Sequence, residues 1–363
     1  MGAPIFAGEP MAVRTFWTAL RGRAHANGGT RRPDVPAQRP ESWGVYLATV
    51  AGAALAFLSL LWLGLAWLDH FDLLPPPQLS NNLCIDQKLA YLREHPVRRP
   101  TILATGSSVT WRNFDSSEVL QASGGRAVPL NGAFCGLKMN QTSYVTEYLV
   151  GRMPSIREVM TILAPQDLTD CATTNPRVFD PADVDGFVFR RSSEFAFYLK
   201  YFDPLTLIKN VFILHAMRTG ALPFDEIRMD RYGDAPIDTA ASRDLTYGAL
   251  PPPDPVCLQA LRKLATDLGA DGRRLIVVTM PLDPEWKKQY DPDGAVMRNM
   301  THDIRQALAG SGAMFWDANH NFAMEPDAFI DAIHIRWSAA KTFSRALIVA
   351  TGLGGASRGS STE

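Results

Sequence analysis

Residues 101–116 read TILATGSSVTWRNFDS. A short apolar run, TILAT, ends in Gly106-Ser107-Ser108, and a helix-like segment opens behind it. Strand, tight turn, helix is the beginning of a βα unit. It also raises a question of chemistry. Small residues fill such junctions for steric reasons alone, yet a serine there can also present a hydroxyl above the end of a sheet. The partners elsewhere in the chain decide between the two readings.

Four more apolar runs have the length and richness of buried parallel strands: AVPL at 127–130, EVMTILA at 158–164, RLIVVTM at 274–280 and AMFWDA at 313–318. Helix-like stretches lie between and after them at 141–153, 255–269, 295–310 and 338–352. This alternation predicts an α/β domain with a parallel sheet, and five strands suit a flavodoxin-like three-layer sandwich over residues 100–352. Between Cys171 and about Pro253 the alternation stops. EFAFYLKYFDPLTLIKNVFILHAMRTG at 194–220 reads as one or two apolar helices. The segment at about 172–253 is therefore expected to be a helical insertion after the third strand. It would cover the catalytic edge, meet a partner, or complete the core.

The 363 residues carry 36 Lys plus Arg against 37 Asp plus Glu, a balance that argues against a nucleic-acid partner. The strongest local feature is GVYLATVAGAALAFLSLLWLGLAWL, residues 44–68, which has no charged side chain. At 1.5 Å per residue such a helix crosses a hydrocarbon core of about 30 Å. Trp43, Tyr46 and Trp67 sit near its ends, where interfacial anchors belong. A cleaved signal peptide would have a shorter apolar run nearer the N-terminus, and a buried core helix is rarely so long. Arg14, Arg21, Arg23, Arg31, Arg32 and Arg39 precede the span, whereas Asp69, Asp72 and Asp86 follow it before Lys88. The positive-inside rule then puts the N-terminus in the cytoplasm and the large C-terminal part in the periplasm or outside the cell. A disordered cytoplasmic tail over 1–43, a linker and entry segment over 69–99 that opens with the stiff LLPPPQLS, and a short tail over 353–363 complete the expected layout.

In an open parallel sheet, ligands collect beyond the C-terminal ends of the strands. Gly106, Ser107 and Ser108 follow the first strand; Asn131, Gly132, Cys135 and Gly136 the second; Pro165, Gln166 and Asp167 the third. FIDAIHIRWSAA, with Asp331 and His334, precedes the last helix. A serine hydroxyl needs an imidazole to take its proton, and the imidazole needs a carboxylate to orient it. Asp331-Ala-Ile-His334 on one turn supplies both. The intervening loops offer backbone N–H groups and an amide as oxyanion donors.

These residues resemble the SGNH, or GDSL, hydrolases. Gly106-Ser107-Ser108-Val109-Thr110 resembles the family's first block, which places the nucleophile at Ser108, and Asp331-Ala-Ile-His334 resembles its terminal Asp-x-x-His block. The resemblance implies the SGNH hydrolase fold, a Ser108–His334–Asp331 triad, and an oxyanion hole built from Gly136 and the third-block residue. That block is usually Gly-x-Asn-Asp. Here Ala164-Pro165-Gln166-Asp167 puts Gln166 in place of the asparagine. A single membrane anchor, the helical insertion and His334-Ile-Arg-Trp337 are further similar to DltD-type and other SGNH-like partners of membrane-bound O-acyltransferases (MBOAT). That narrower resemblance implies acyl, chiefly acetyl, esterase or transferase chemistry on a cell-envelope polysaccharide or glycoconjugate; no cofactor and no metal are expected, since no His, Cys or carboxylate cluster has ligand spacing and acyl chemistry needs none. The rival from another class is a non-catalytic accessory or scaffold for a multispan acyltransferase.

Several residues have competing readings. Ser107 reads as a turn residue beside Ser108. Asp317-Ala-Asn-His320 is a second Asp-x-x-His, but it directly follows the fifth strand, with no helix expected after it, and reads as a strand-end or loop device. His70, His95, His215 and His302 read as surface or packing residues. Cys135 and Cys171 fall on the same proposed edge and are expected either to pair or to be free buried thiols.

Overall fold

The protein is described by a computed structural model covering residues 43–219, 227–237 and 247–355. Most of the two expected tails, and the arginines that set the expected topology, lie outside the described residues. The chain divides into two units, Met1–Leu61 and Trp62–Glu363. Helix α1, Trp43–His70, runs through the division and is long and apolar enough to cross a membrane. Its 28 residues correspond to about 42 Å at 1.5 Å each. It ends two residues past the stretch 44–68 expected from sequence.

The second unit is built on a five-stranded sheet. The strands are β1 Ile102–Ala104, β2 Pro129–Asn131, β3 Glu158–Leu163, β4 Arg274–Thr279 and β5 Met314–Trp316. All neighbours pair in parallel, in the order β2-β1-β3-β4-β5. That is the flavodoxin-like order, and each strand falls where an apolar run predicted it. β1, β2, β3 and β4 are almost wholly buried, because helices cover both faces and leave no polar side to alternate with.

The helices are α2 Leu83–Glu94, α3 Ser108–Asn113, α4 Ser116–Ala122, α5 Met139–Arg152, α6 Pro181–Val184, α7 Glu194–Lys200, α8 Pro204–Arg218, α9 Pro255–Ala270, α10 Pro284–Tyr290, α11 Ala295–Leu308, α12 Ala318–Asn321 and α13 Trp337–Thr351. α5, α9 and α11 pack side by side in one layer, and α13 packs with α3, α4 and β5 in the other. The helix ends are read easily from sequence. Asp254 and Asp203 each accept N–H bonds at the first turn of α9 and α8, and each is followed by Pro at the first helical position.

The stretch expected as a linker over 69–99 carries α2, whose Ile85, Leu89, Tyr91 and Leu92 belong to the core. The insertion forms α6, a wide turn at Asp185–Phe189, α7 and α8, so the apolar stretch 194–220 is two helices, separated by Tyr201–Asp203 ahead of Pro204. Val184, Phe187, Val188 and Phe197 join the core. The later described part, residues 227–237, returns along the β2 edge. There Asn131 N–H donates to Tyr232 O at 2.9 Å, and Lys88 Nζ and Trp111 Nε1 both donate to Gly233 O at 2.6 and 2.7 Å. A side chain at Gly233 could not be accommodated, since its Cβ would lie 2.7 Å from Asn131 O and its φ is +88°. The insertion therefore completes the core and braces an edge of the sheet.

Candidate active site

The site begins where β1 stops. Gly106 turns the chain at φ +146°, a region reserved for glycine, and a Cβ there would strike Thr110 Oγ1. Thr110 is itself fixed, donating to Ile162 O at 3.0 Å and accepting from Ile162 N–H at 2.9 Å. Ser107 caps α3, its Oγ accepting from Val109 N–H at 3.2 Å, and it lies close enough to the buried Asp167 to favour that carboxyl's charged form. This hydroxyl is spent on structure. Ser108, the first residue of α3, keeps its Oγ free for a partner across the sheet edge.

That partner is His334, whose Nε2 lies 2.9 Å from Ser108 Oγ. Its Nδ1 lies 2.9 Å from Asp331 Oδ2 and 3.0 Å from Oδ1. Because a carboxylate only accepts, the Nδ1 atom carries the proton and Nε2 is the acceptor facing the serine. Asp331 and His334 share a tight turn. Asp331 Oδ1 accepts from the N–H groups of Ile333 and His334 at 3.0 and 2.8 Å, and Ile330 N–H donates to His334 O at 2.8 Å. Burial acts to raise the Asp331 carboxyl, but the His334 hydrogen bond and charge, with the two backbone donors, outweigh it and hold the group below its usual value. Asp331 and His334 are both buried.

One residue of the opening stretch has a role that its sequence pattern does not announce. Asn113, fully buried at the end of α3, donates from Nδ2 to Ile333 O at 2.7 Å and accepts from Ile335 N–H at 3.2 Å. It holds the backbone on both sides of His334. The helix that begins with Ser108 thus ends in the side chain that positions the histidine.

In the strand order, β1 lies between β2 and β3, so the loops after those two strands flank Ser108. Gly136 lies in the first of these loops at φ +69°, exposed, with open space where a Cβ would stand. Gln166 lies in the second, on the single turn Pro165–Leu168. Its side-chain amide forms no hydrogen bond with the described residues, although Oε1 is buried. Lys138 joins the loops, its Nζ donating to Gln166 O at 2.8 Å and Thr169 Oγ1 at 2.9 Å. Asn131 is committed elsewhere, donating to Asp234 Oδ1 at 2.7 Å.

Neither alternative for Cys135 and Cys171 holds: they do not pair with each other and neither is a free thiol. Cys84 bonds to Cys135, and Cys171 to Cys257. β1 separates the two loops, so Cys135, next to Gly136, reaches the start of α2, and Cys171 reaches the first turn of α9, where Asp254 also accepts from Ala172 N–H at 2.7 Å. The second Asp-x-x-His is a separate pair. Asp317 Oδ2 lies 2.6 Å from His320 Nδ1, and its oxygens also accept from Thr279 and Thr301 at 2.8 and 3.1 Å. A short helix, α12, carries the motif itself and no helix of greater length directly follows it; His320 rides on α12 with its side chain 43% exposed. Asp317 ties β4, α11 and α12 together, as a strand-end device would.

No protein-family model and no curated protein matches the chain. Among solved structures it is similar to a carbohydrate acetylesterase family member from Sinorhizobium meliloti, at 10% identity and a TM-score of 0.34, over 70% of this chain and 98% of that one. The fold class rests on the strand order of the chain itself.

Proposed function

We propose that the protein is a membrane-anchored SGNH-type serine enzyme that handles ester-linked acyl groups, acetyl foremost, on a cell-envelope polysaccharide or glycoconjugate. The observation that carries this reading is the continuous chain from Ser108 Oγ through His334 to Asp331, with contacts of 2.9 Å at each link. His334 Nε2 takes the hydroxyl proton as Ser108 Oγ attacks the acyl carbonyl. Gly136 N–H and the uncommitted Gln166 amide stabilise the oxyanion. The imidazolium, held by the Asp331 carboxylate, returns the proton to the departing sugar oxygen, leaving the acyl group on Ser108. In the second half-reaction His334 takes a proton from the acceptor, water for an esterase or a sugar hydroxyl for a transferase, and Ser108 is regenerated.

The apolar α1 and the arginine-rich sequence before it support a single-pass anchor with the N-terminus in the cytoplasm and the sheet domain in the periplasm. The two disulfides fit an oxidising compartment. A multispan MBOAT-type acyltransferase as donor of the acyl group fits such an anchor and the family resemblance. The test is hydrolysis of a chromogenic acetyl ester by the full chain in detergent. Replacement of His334 by Ala is expected to lower kcat by about 10³-fold or more with the fold intact. Undiminished turnover in folded His334→Ala protein overturns the role of His334, and a folded wild-type chain that does not hydrolyse the ester overturns the enzyme reading in favour of an accessory protein.

A further inference from the structure

The outward face of α8 is apolar, against the usual pattern of a surface helix. Asn210 and Leu214 face the protein, while Leu205, Ile208 and Phe212 point outward at 80, 53 and 67% exposure. Positions three and four apart share one side of a helix, so these three form a single stripe. The neighbouring Leu199 and Phe202 are exposed as well. Beyond α1 and Phe71, the other exposed large apolar side chains among the described residues stand singly.

The location of this stripe says what covers it. α7 and α8 are fastened to the chain just as it leaves α1. Tyr198 Oη donates to Pro75 O at 2.7 Å, and Arg218, in the last turn of α8, donates to Asp72 O. Asp72 is two residues beyond His70, the last residue of α1. The C-terminal end of α8 is therefore held where the span ends, which is the level of the lipid headgroups. Between Pro204 and Arg218 the helix has Lys209, His215 and Arg218 and no carboxylate. An apolar stripe with cationic neighbours is the composition that seats a helix in an anionic interface.

We infer that α8 lies in the headgroup layer of the bilayer that α1 spans, with Leu205, Ile208 and Phe212 in the acyl boundary. The inference rests on the proposed anchoring by α1. It gives the helical insertion a function that core packing does not supply: a second membrane contact, separated from the span by only the few residues of the exit segment, which fixes the orientation of the sheet domain over the membrane. A polymer substrate would then meet Ser108 at a set height instead of at the end of a free tether.

The test uses the full chain with an environment-sensitive fluorophore at Phe212→Cys, reconstituted in phosphatidylcholine–phosphatidylglycerol vesicles. Arg262→Cys, exposed on α9, serves as the reference position. Lipids brominated near the headgroup are expected to quench the probe at 212 at least about twofold more than at 262. Adding Leu205→Glu and Ile208→Glu to the labelled chain is expected to abolish that difference while acetyl ester hydrolysis is retained. Equal quenching at 212 and 262 in protein that resists carbonate extraction overturns the inference and leaves the span standing. Release by carbonate overturns the span and the inference with it. Quenching at 212 that requires a co-reconstituted multispan partner overturns the lipid contact in favour of a protein contact.

Discussion

Asn113→Ala tests whether the histidine is held in place or merely happens to be near. The substitution leaves Ile333 C=O and Ile335 N–H without their side-chain partner, and both residues are buried. Each unpaired group costs about 1–3 kcal/mol, so the loss of stability is about 2–6 kcal/mol. The turn from Asp331 to His334 keeps its own internal bonds but loses its tie to α3. A displacement of His334 by about 1 Å costs on the order of 10²-fold in rate. Asn113 is buried and does not line an open face, so kcat is expected to fall by about that factor while KM stays within about twofold. Thermal melting and steady-state hydrolysis of a chromogenic acetyl ester read the two effects separately. Asn113→Asp, of equal size, keeps the acceptor for Ile335 N–H but sets a carboxylate against Ile333 O and is expected to be no better. A folded Asn113→Ala protein with wild-type kcat would refute the positioning argument.

Three other outcomes follow from the same structure. Gln166→Ala is expected to lower kcat by about 10²–10³-fold with little change in melting temperature, as loss of an oxyanion donor does; unchanged turnover removes Gln166 from the site. Burial pushes the Asp167 carboxyl from 3.8 up to about 7, against the opposing influence of Ala164 and Ser107. The neutral form's contribution to stability is then fully present below about pH 4 and lost as pH rises through about 7, so the melting temperature of Asp167→Asn minus that of wild type should grow more positive over that window; a difference that is flat with pH contradicts this. Opening the Cys171–Cys257 bond, which closes a separation of 86 residues, is expected to cost about 2–4 kcal/mol in a Cys171→Ala, Cys257→Ala chain measured by denaturant unfolding.

What the sequence disclosed was mostly local. A run such as RLIVVTM declares a buried strand because no polar side interrupts it, and Asp203-Pro204 or Asp254-Pro255 declares a helix start because capping chemistry is confined to one turn. Ser108, Asp331 and His334 could be assembled because each sits at a strand end or helix start that the same local patterns locate, and the chemistry of the serine demands the other two. Pairings across the chain had no such signal. Cys84 meets Cys135 only once α2 folds onto the domain, and nothing in residues 69–99 announces that a presumed linker carries core positions such as Leu89. Asn113 carries no signal within its own stretch; its role depends on Ile333 and Ile335, more than two hundred positions away. The return of residues 227–237 along β2 is equally silent, because its hold on the sheet comes from Gly233 and Tyr232 backbone atoms and not from a hydrophobic pattern.

If Ser108 is a nucleophile activated by His334, it reacts with serine-directed electrophiles. The most direct test is reaction of the full chain with a fluorophosphonate, followed by mass mapping of the adduct. A single adduct on Ser108 is expected, absent in Ser108→Ala and strongly slowed in His334→Ala. Labelling that persists in Ser108→Ala, or a wild-type chain that is folded and unreactive, would contradict it.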